Sequence, residues 1–379
     1  MRFSHIELKN WRNFTAMSVD LHQRVFLVGP NASGKSNLID AFRFLGDLVA
    51  PDGGFLPAIR RRGGISAMRS LAARQHPEIE MTFIMTGADS EDNWEYTLRF
   101  TQDNRSNPVI KAEIVKKGGR IILSRPDDSD GKDSDLLRQT HLEQASVNKD
   151  FRDLHAFFGS IYYLHIVPQM IRLPDRITFL RNDPYGSDFL TQIAEKSPVT
   201  RDRRLKRIQE ALQKVTPQLS DLTFERDQGT GRPHLKARYM HWRQGGAWQK
   251  ENSFSDGTLR LIGILWALLE AKGPILLEEP ELSLHSGVIR FLPQMFQRIQ
   301  SKGKEKRQFV ISSHSSDLFQ DQGLGADEVI LLRPENEKTT VQQASSVTEI
   351  VALLASGMSL GEAIMPYTAP QSANQLALL

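Results

Sequence analysis

The sequence predicts an α/β protein whose core is assembled from both ends of the chain, with a lobe of antiparallel strands and then helices inserted between them. Three observations predict it. The apolar run "VFLVG" passes into the glycine loop "GPNASGKSN" at 29–37, and helical spacing follows at once. Helix and strand patterns alternate again from 255 to about 333, as a parallel sheet requires. Between these stretches, 79–124 reads as successive strands with no helical crossover among them.

In order along the chain, "FSHIELKNW", "AMSVDL" and "VFLVG" read as strands, the last ending at the loop. Leu38, Ile39, Phe42, Leu45, Leu48 and Val49 then recur at helical spacing over 35–50. "IEMTFIM", "WEYTLRF", "VIKAEIV" and "RIILS" form the strand-rich stretch, and "SIYYLHIV" at 160–167 is another strand. Residues 186–215 are helical, with Leu205, Ile208, Leu212 and Val215 on one face; "LTFERD" and "HLKARYMHW" suggest a hairpin. We expect residues 1–50 and 250–335 to form the core, 51–249 the insertion, and 336–379 a C-terminal helix with a polar tail.

Composition narrows the function classes. The chain has 379 residues, of which 40% are hydrophobic and 25% charged, a globular balance. It has no Cys, which excludes disulfides, thiolate zinc sites and iron–sulfur clusters. "MRFSHIELKN" alternates like a strand rather than a signal peptide, and no apolar run is long enough to cross a bilayer. "LRLIGILWALLEA" at 259–271 reads as a buried helix. A cytoplasmic location with no membrane partner is the expectation. Net charge is +3, unevenly spread: Arg60, Arg61, Arg62 and "RDRRLKRIQ" at 201–209 are basic, and "RPDDSDGKDSD" at 125–135 reads as an exposed acidic loop.

Four stretches carry chemistry. "GPNASGKS" has the G-x-x-x-x-G-K-[ST] spacing: Gly29 and Gly34 let backbone N–H groups turn inward on an anion, and the helix that follows adds its positive end. Lys35 would reach β- and γ-phosphates, and the Ser36 hydroxyl would ligate Mg²⁺. "GPILLEEPELSLH" is a buried strand ending in paired acids, with Glu278 assigned to the magnesium ion through water and Glu279 to the attacking water. An acidic cap on the next helix is the plainer alternative. "RQFVISSHSSDLF" is a strand ending at His314, far enough downstream for one helix and a return to the next parallel strand. In "SFSDGTLRL", Ser255, Asp256 and Gly257 open the apolar helix; a helix start there serves equally as an N-cap and as an anion site.

The order of these four stretches resembles the ABC-type ATPase heads of the RecF, SMC and OLD-like families, over about 1–50 and 250–335. "FSDGTLR" is similar to their signature motif and "EEPELSLH" to their Walker B and D-loop. The resemblance implies ATP hydrolysis with Mg²⁺, in a homodimer or larger even assembly that sandwiches ATP head to tail. Asn31 and Lys35, with Gly29, Gly34, Ser36 and Asn37 of the same loop, would hold nucleotide in cis. Ser255 and Gly257, flanking Asp256, would touch the γ-phosphate of the partner's nucleotide. Gln169 in "IVPQMIR" would couple the metal to the middle lobe. Glu278 stands where the wider family has Asp and Asp256 where transporters have Gly, both as in the OLD-like branch, so slow turnover is expected.

No coiled-coil heptads and no Toprim-type acidic cluster follow in this sequence. It therefore resembles a stand-alone ATPase subunit of the kind found in bacterial anti-phage systems, where a separate nuclease-like or toxic effector acts. The alternatives are a RecF-like DNA-binding ATPase, using Arg60, Arg61, Arg62 and the 201–207 cluster, and a transporter ATPase. Steeply salt-dependent DNA binding would favour the former; co-purification with a membrane protein would favour the latter.

Overall fold

A computed structural model describes residues 1–72, 77–87, 89, 92–172, 183, 185–240, 247–302, 307–321 and 323–368. The expected polar tail and the last two residues of "HLKARYMHW" lie outside the described residues. In chain order the strands are β1 (Arg2–Trp11), β2 (Phe14–Asp20), β3 (Arg24–Val28), β4 (Ile79–Thr86), β5 (Trp94–Gln102), β6 (Pro108–Lys117), β7 (Arg120–Arg125), β8 (Tyr162–Leu164), β9 (Leu219–Arg226), β10 (Pro233–Tyr239), β11 (Ala247–Lys250), β12 (Ile275–Glu278), β13 (Phe309–Ser313), β14 (Val329–Glu335) and β15 (Lys338–Gln343).

They form three sheets. The central one has the order β15-β14-β3-β13-β12-β8 and is parallel except for β15 at its edge. Every residue of β3 is buried because both faces of this sheet are covered, which is why Val25 to Val28 read as an unbroken apolar run. Val25 and Leu27 share one core with Leu38, Phe42 and Leu45 of the helix Lys35–Val49. Phe26 and Val28 share the other with Leu259, Ile262 and Trp266 of the helix Asp256–Glu270.

The second sheet, β2-β1-β4-β5-β6-β7, is antiparallel and lies over the far side of the Lys35–Val49 helix. Its strands alternate, as in Ile79, Met81, Phe83 and Met85 of β4, because only one face is dry. Aromatic edges seal the contact: Phe3 meets Phe42 at 5.0 Å between ring centroids, and Phe44 stacks on Phe100 at 5.7 Å. The third sheet, β11-β10-β9, rests on the helix Pro198–Leu212 and joins the core of Phe26, Val28 and Trp266. Sheet membership does not follow blocks of sequence. The N-terminal strand β1 pairs with β2 on one side and with β4 on the other, and β8 hydrogen-bonds to β12 as the outermost strand of the parallel sheet.

Two expectations are corrected. The 125–135 stretch is not an exposed loop throughout: it holds a short helix, Asp128–Lys132, closed by a capping box from Asp127. Arg125, whose side chain is wholly buried, draws it inward by donating to both Asp130 oxygens, to Glu113 and to the carbonyls of Leu136 and Gln139. β15 lies beyond where the strand pattern was expected to end. As an edge strand with polar residues it gives little hydrophobic signal.

Candidate nucleotide site

Parallel register sets the site. Ser312 is opposite both Glu278 and Leu27, and Ser313 is opposite Val28. The glycine loop, the paired acids and His314 therefore leave the sheet at one edge, the carboxyl ends of neighbouring strands.

The loop has its glycines where other residues would not fit. A Cβ on Gly29 would lie 2.3 Å from the Leu332 carbonyl of β14. Gly34 has φ 98°, and its Cβ would lie 2.1 Å from Asn13 Nδ2. Asn13, in the turn between β1 and β2, donates from Nδ2 to the Ser33 carbonyl (3.2 Å) and accepts from Asn37 Nδ2 (2.8 Å). Thr339 on β15 donates to the same Ser33 carbonyl at 3.0 Å. Trp11 donates to the Asn37 carbonyl at 2.7 Å. The Asn37 side chain thus braces the helix start against Asn13, while Asn31 is exposed at the loop's tip.

Lys35 is 6% exposed and folds back to donate to the carbonyls of Gly29 (2.7 Å) and Pro30 (3.0 Å). Burial pushes its ammonium pKa down, opposed by the nearby charges of Glu279, Glu281 and Glu278. Ser36 donates to one oxygen of Glu278, and the Tyr163 hydroxyl donates to the other at 2.5 Å. Burial, and then Glu278, push the Tyr163 phenol well above its usual range. A cavity of about 400 Å³ opens here, with Ser36, Asn37, Tyr163 and Glu278 in its wall beside Arg12 and Arg43.

Glu279 has φ 44°, uncommon for a residue with a side chain, and its N–H donates to the Ser312 carbonyl at 3.0 Å. Its carboxylate lies 3.3 Å from His314 Nδ1. Glu281, which sequence reasoning passed over, is 4% exposed and accepts from Ser313 Oγ (2.6 Å) and His314 N (3.2 Å). Burial pushes its pKa up, and its Oε2 has no hydrogen-bond partner among the described residues. The third acid in "EEPE" was the available signal for it. Tyr163 gave none, since an aromatic residue in a strand reads as core.

The Asp256 helix forms a second, separate group. Ser255 is its exposed N-cap, accepting from Thr258 N at 3.2 Å. Asp256 is held by Arg172 at 2.6 Å and by Gln169 Nε2 at 3.4 Å, so Gln169 is turned to this helix rather than to Ser36 or Glu278. A Cβ on Gly257 would lie 2.5 Å from the Ser283 carbonyl, so the helix start sits directly on the loop that follows the paired acids. Among the described residues, no hydrogen bond or ion pair joins 255–257 to the glycine loop.

Of the basic residues weighed for nucleic acid, Arg62 is buried against Asp40 and Asp47 and cannot serve an external partner. Arg201 lies over Phe224 and Arg204 over Trp266, with Arg204 also paired to Glu270. Arg60, Arg203, Lys206 and Arg207 are exposed. No helix among the described residues is long and apolar enough to cross a membrane.

A protein-family model described as "AAA domain, putative AbiEii toxin, Type IV TA system" matches residues 24–319. Among solved structures, an Smc head bound to the C-winged helix domain of ScpA aligns with TM-score 0.54 at 15% identity, covering 90% of this chain and 97% of that one. An Smc head domain with a coiled coil and joint from Pyrococcus yayanosii aligns with TM-score 0.50 at 11% identity, covering 93% and 99%. At such identities the likeness is one of fold. No curated protein matches the chain.

Proposed function

This chain belongs to the AAA-domain family whose model spans its residues 24–319, and on that premise we propose that it binds and hydrolyses ATP as a switch that pairs two copies of itself. The observation that carries this reading is the shared strand edge, where Lys35, Ser36, Glu278, Glu279 and His314 come together. The donor set suits a magnesium ion that arrives with phosphates. It offers one hydroxyl and one adjacent carboxylate, and among the described residues no group of three His, Cys, Asp or Glu is placed to cage a metal.

The chemistry follows from groups already in reach. Lys35 exchanges the Gly29 and Pro30 carbonyls for phosphate oxygens. Ser36 would turn its hydroxyl from Glu278 to hold a magnesium ion with that carboxylate, and the ion would supply positive charge to neutralise the phosphates. Glu279 accepts a proton from the water that attacks the γ-phosphorus, the bond to the bridging oxygen breaks, and ADP departs with the electron pair. His314, 3.3 Å from Glu279, orients that carboxylate.

The exposed Ser255 start of the Asp256 helix, remote in contacts from its own loop, is free to meet the γ-phosphate bound by a second copy. ATP then stabilises the paired state by binding it more tightly than the open one, and hydrolysis returns the pair to open heads. The proposal extends to an output delivered through a separate effector protein in bacterial defence against phage; the family's description, which names a putative toxin of a type IV toxin–antitoxin system, supports a toxic output. Replacing Glu279 with Gln should abolish phosphate release while ATP binding persists. Hydrolysis at the wild-type rate would refute the assignment.

A further inference from the structure

Glu278 is anchored at both carboxylate oxygens, by Ser36 from the glycine loop and by Tyr163 from β8. β8 is the outermost strand of the parallel sheet, with Tyr163 opposite Leu276, so its hydroxyl reaches along β12 to the acid that ends it, two residues on. The Tyr163 ring is half-buried against the core and covered by the Arg43 guanidinium, 5.0 Å from its centroid. Arg43 is seven residues after Ser36 on the same helix, so both groups that touch the Tyr163–Glu278 pair belong to the helix that the glycine loop opens.

Resting on the ATPase reading, we propose that Tyr163 is a positioning residue that fixes the Glu278 carboxylate for the magnesium ion of the bound nucleotide. A glutamate has one more rotatable bond than an aspartate and needs a second anchor to hold one pose. When Ser36 turns its hydroxyl to the metal, Tyr163 stays on Glu278 Oε2 and keeps the carboxylate from swinging away. The tyrosine is thus matched in reach to the longer acid, and an aspartate at 278 would fall short of it.

The test is a titration of magnesium into the full-length protein with N-methylanthraniloyl-ATP as the fluorescent probe, read beside ATP hydrolysis. Tyr163→Phe should raise the half-saturating magnesium concentration in both readouts by about tenfold, the usual loss when a metal ligand's supporting hydrogen bond is removed. Probe affinity without metal should not change. In a Glu278→Asp background the same Tyr163→Phe change should shift the magnesium midpoint by less than about twofold, because the pair no longer touches. An unshifted midpoint in Tyr163→Phe overturns the proposal. So does an equal shift in both backgrounds, which would mean that the phenol serves the fold and not the acid. If wild-type protein fails to bind the probe with or without magnesium, the ATPase reading itself has failed. That outcome is distinct from a probe that binds normally with unaltered metal dependence.

Discussion

Lys35→Met removes the ammonium and keeps most of the buried stem. In the free protein the lysine already donates to two neutral carbonyls, at 2.7 and 3.0 Å. Binding ATP exchanges these for charged phosphate oxygens, so affinity gains only the difference between the two kinds of bond. A hydrogen bond with one ionised partner contributes about 1.5–2 kcal/mol and one between two ionised groups about 3 kcal/mol, so two exchanges are worth roughly 2–3 kcal/mol. That corresponds to a loss of about 30- to 100-fold in affinity, at about 1.4 kcal/mol per factor of ten. Isothermal titration with ATP and magnesium measures it directly, with circular dichroism confirming that the variant folds. An affinity within about threefold of wild type, less than 1 kcal/mol, would refute the placing of phosphates against Lys35.

Arg125→Met should destabilise the fold by about 3–5 kcal/mol in urea unfolding, because it strands the buried carboxylates of Glu113 and Asp130; ATP affinity should be unchanged, and a loss under 1 kcal/mol would contradict the buried pairing. Gly257→Ala puts a Cβ 2.5 Å from the Ser283 carbonyl and should abolish ATP-driven pairing while single-head affinity persists, as analytical ultracentrifugation and titration would register. Burial raises the Glu281 pKa in the folded chain, so this acid stabilises the fold below its unfolded value near 4.3 and costs stability as pH rises through its folded value. Glu281→Gln mimics the protonated acid, so it should raise the urea midpoint at pH 8 and lose that advantage toward pH 4; an equal gain at both would reverse the sign.

The parallel sheet was legible because its strands are local apolar runs, each ending in a residue with distinctive chemistry. The ends of β12 and β13 could be aligned before any contact was known, since the short helical stretch between them leaves little choice of topology; β3 joined them only through the order of the motifs. What escaped was non-local. Asn13 and Thr339 both brace Ser33, yet lie 326 residues apart. Arg125 and Asp130 are near in sequence, but the acidic composition around them masks a buried pair. Tyr163 reads as a core aromatic until its hydroxyl is found on Glu278, 115 residues downstream. The same limit applied to Arg62, one of three adjacent arginines that differ only in burial.

The most direct test of the account is the mass in solution of the Glu279→Gln protein, measured by light scattering with ATP and magnesium and again without nucleotide. The account predicts a monomer that becomes a dimer only when ATP is present, and that stays monomeric when Ser255 is also changed to Arg. A protein that binds ATP and remains a monomer throughout would contradict it.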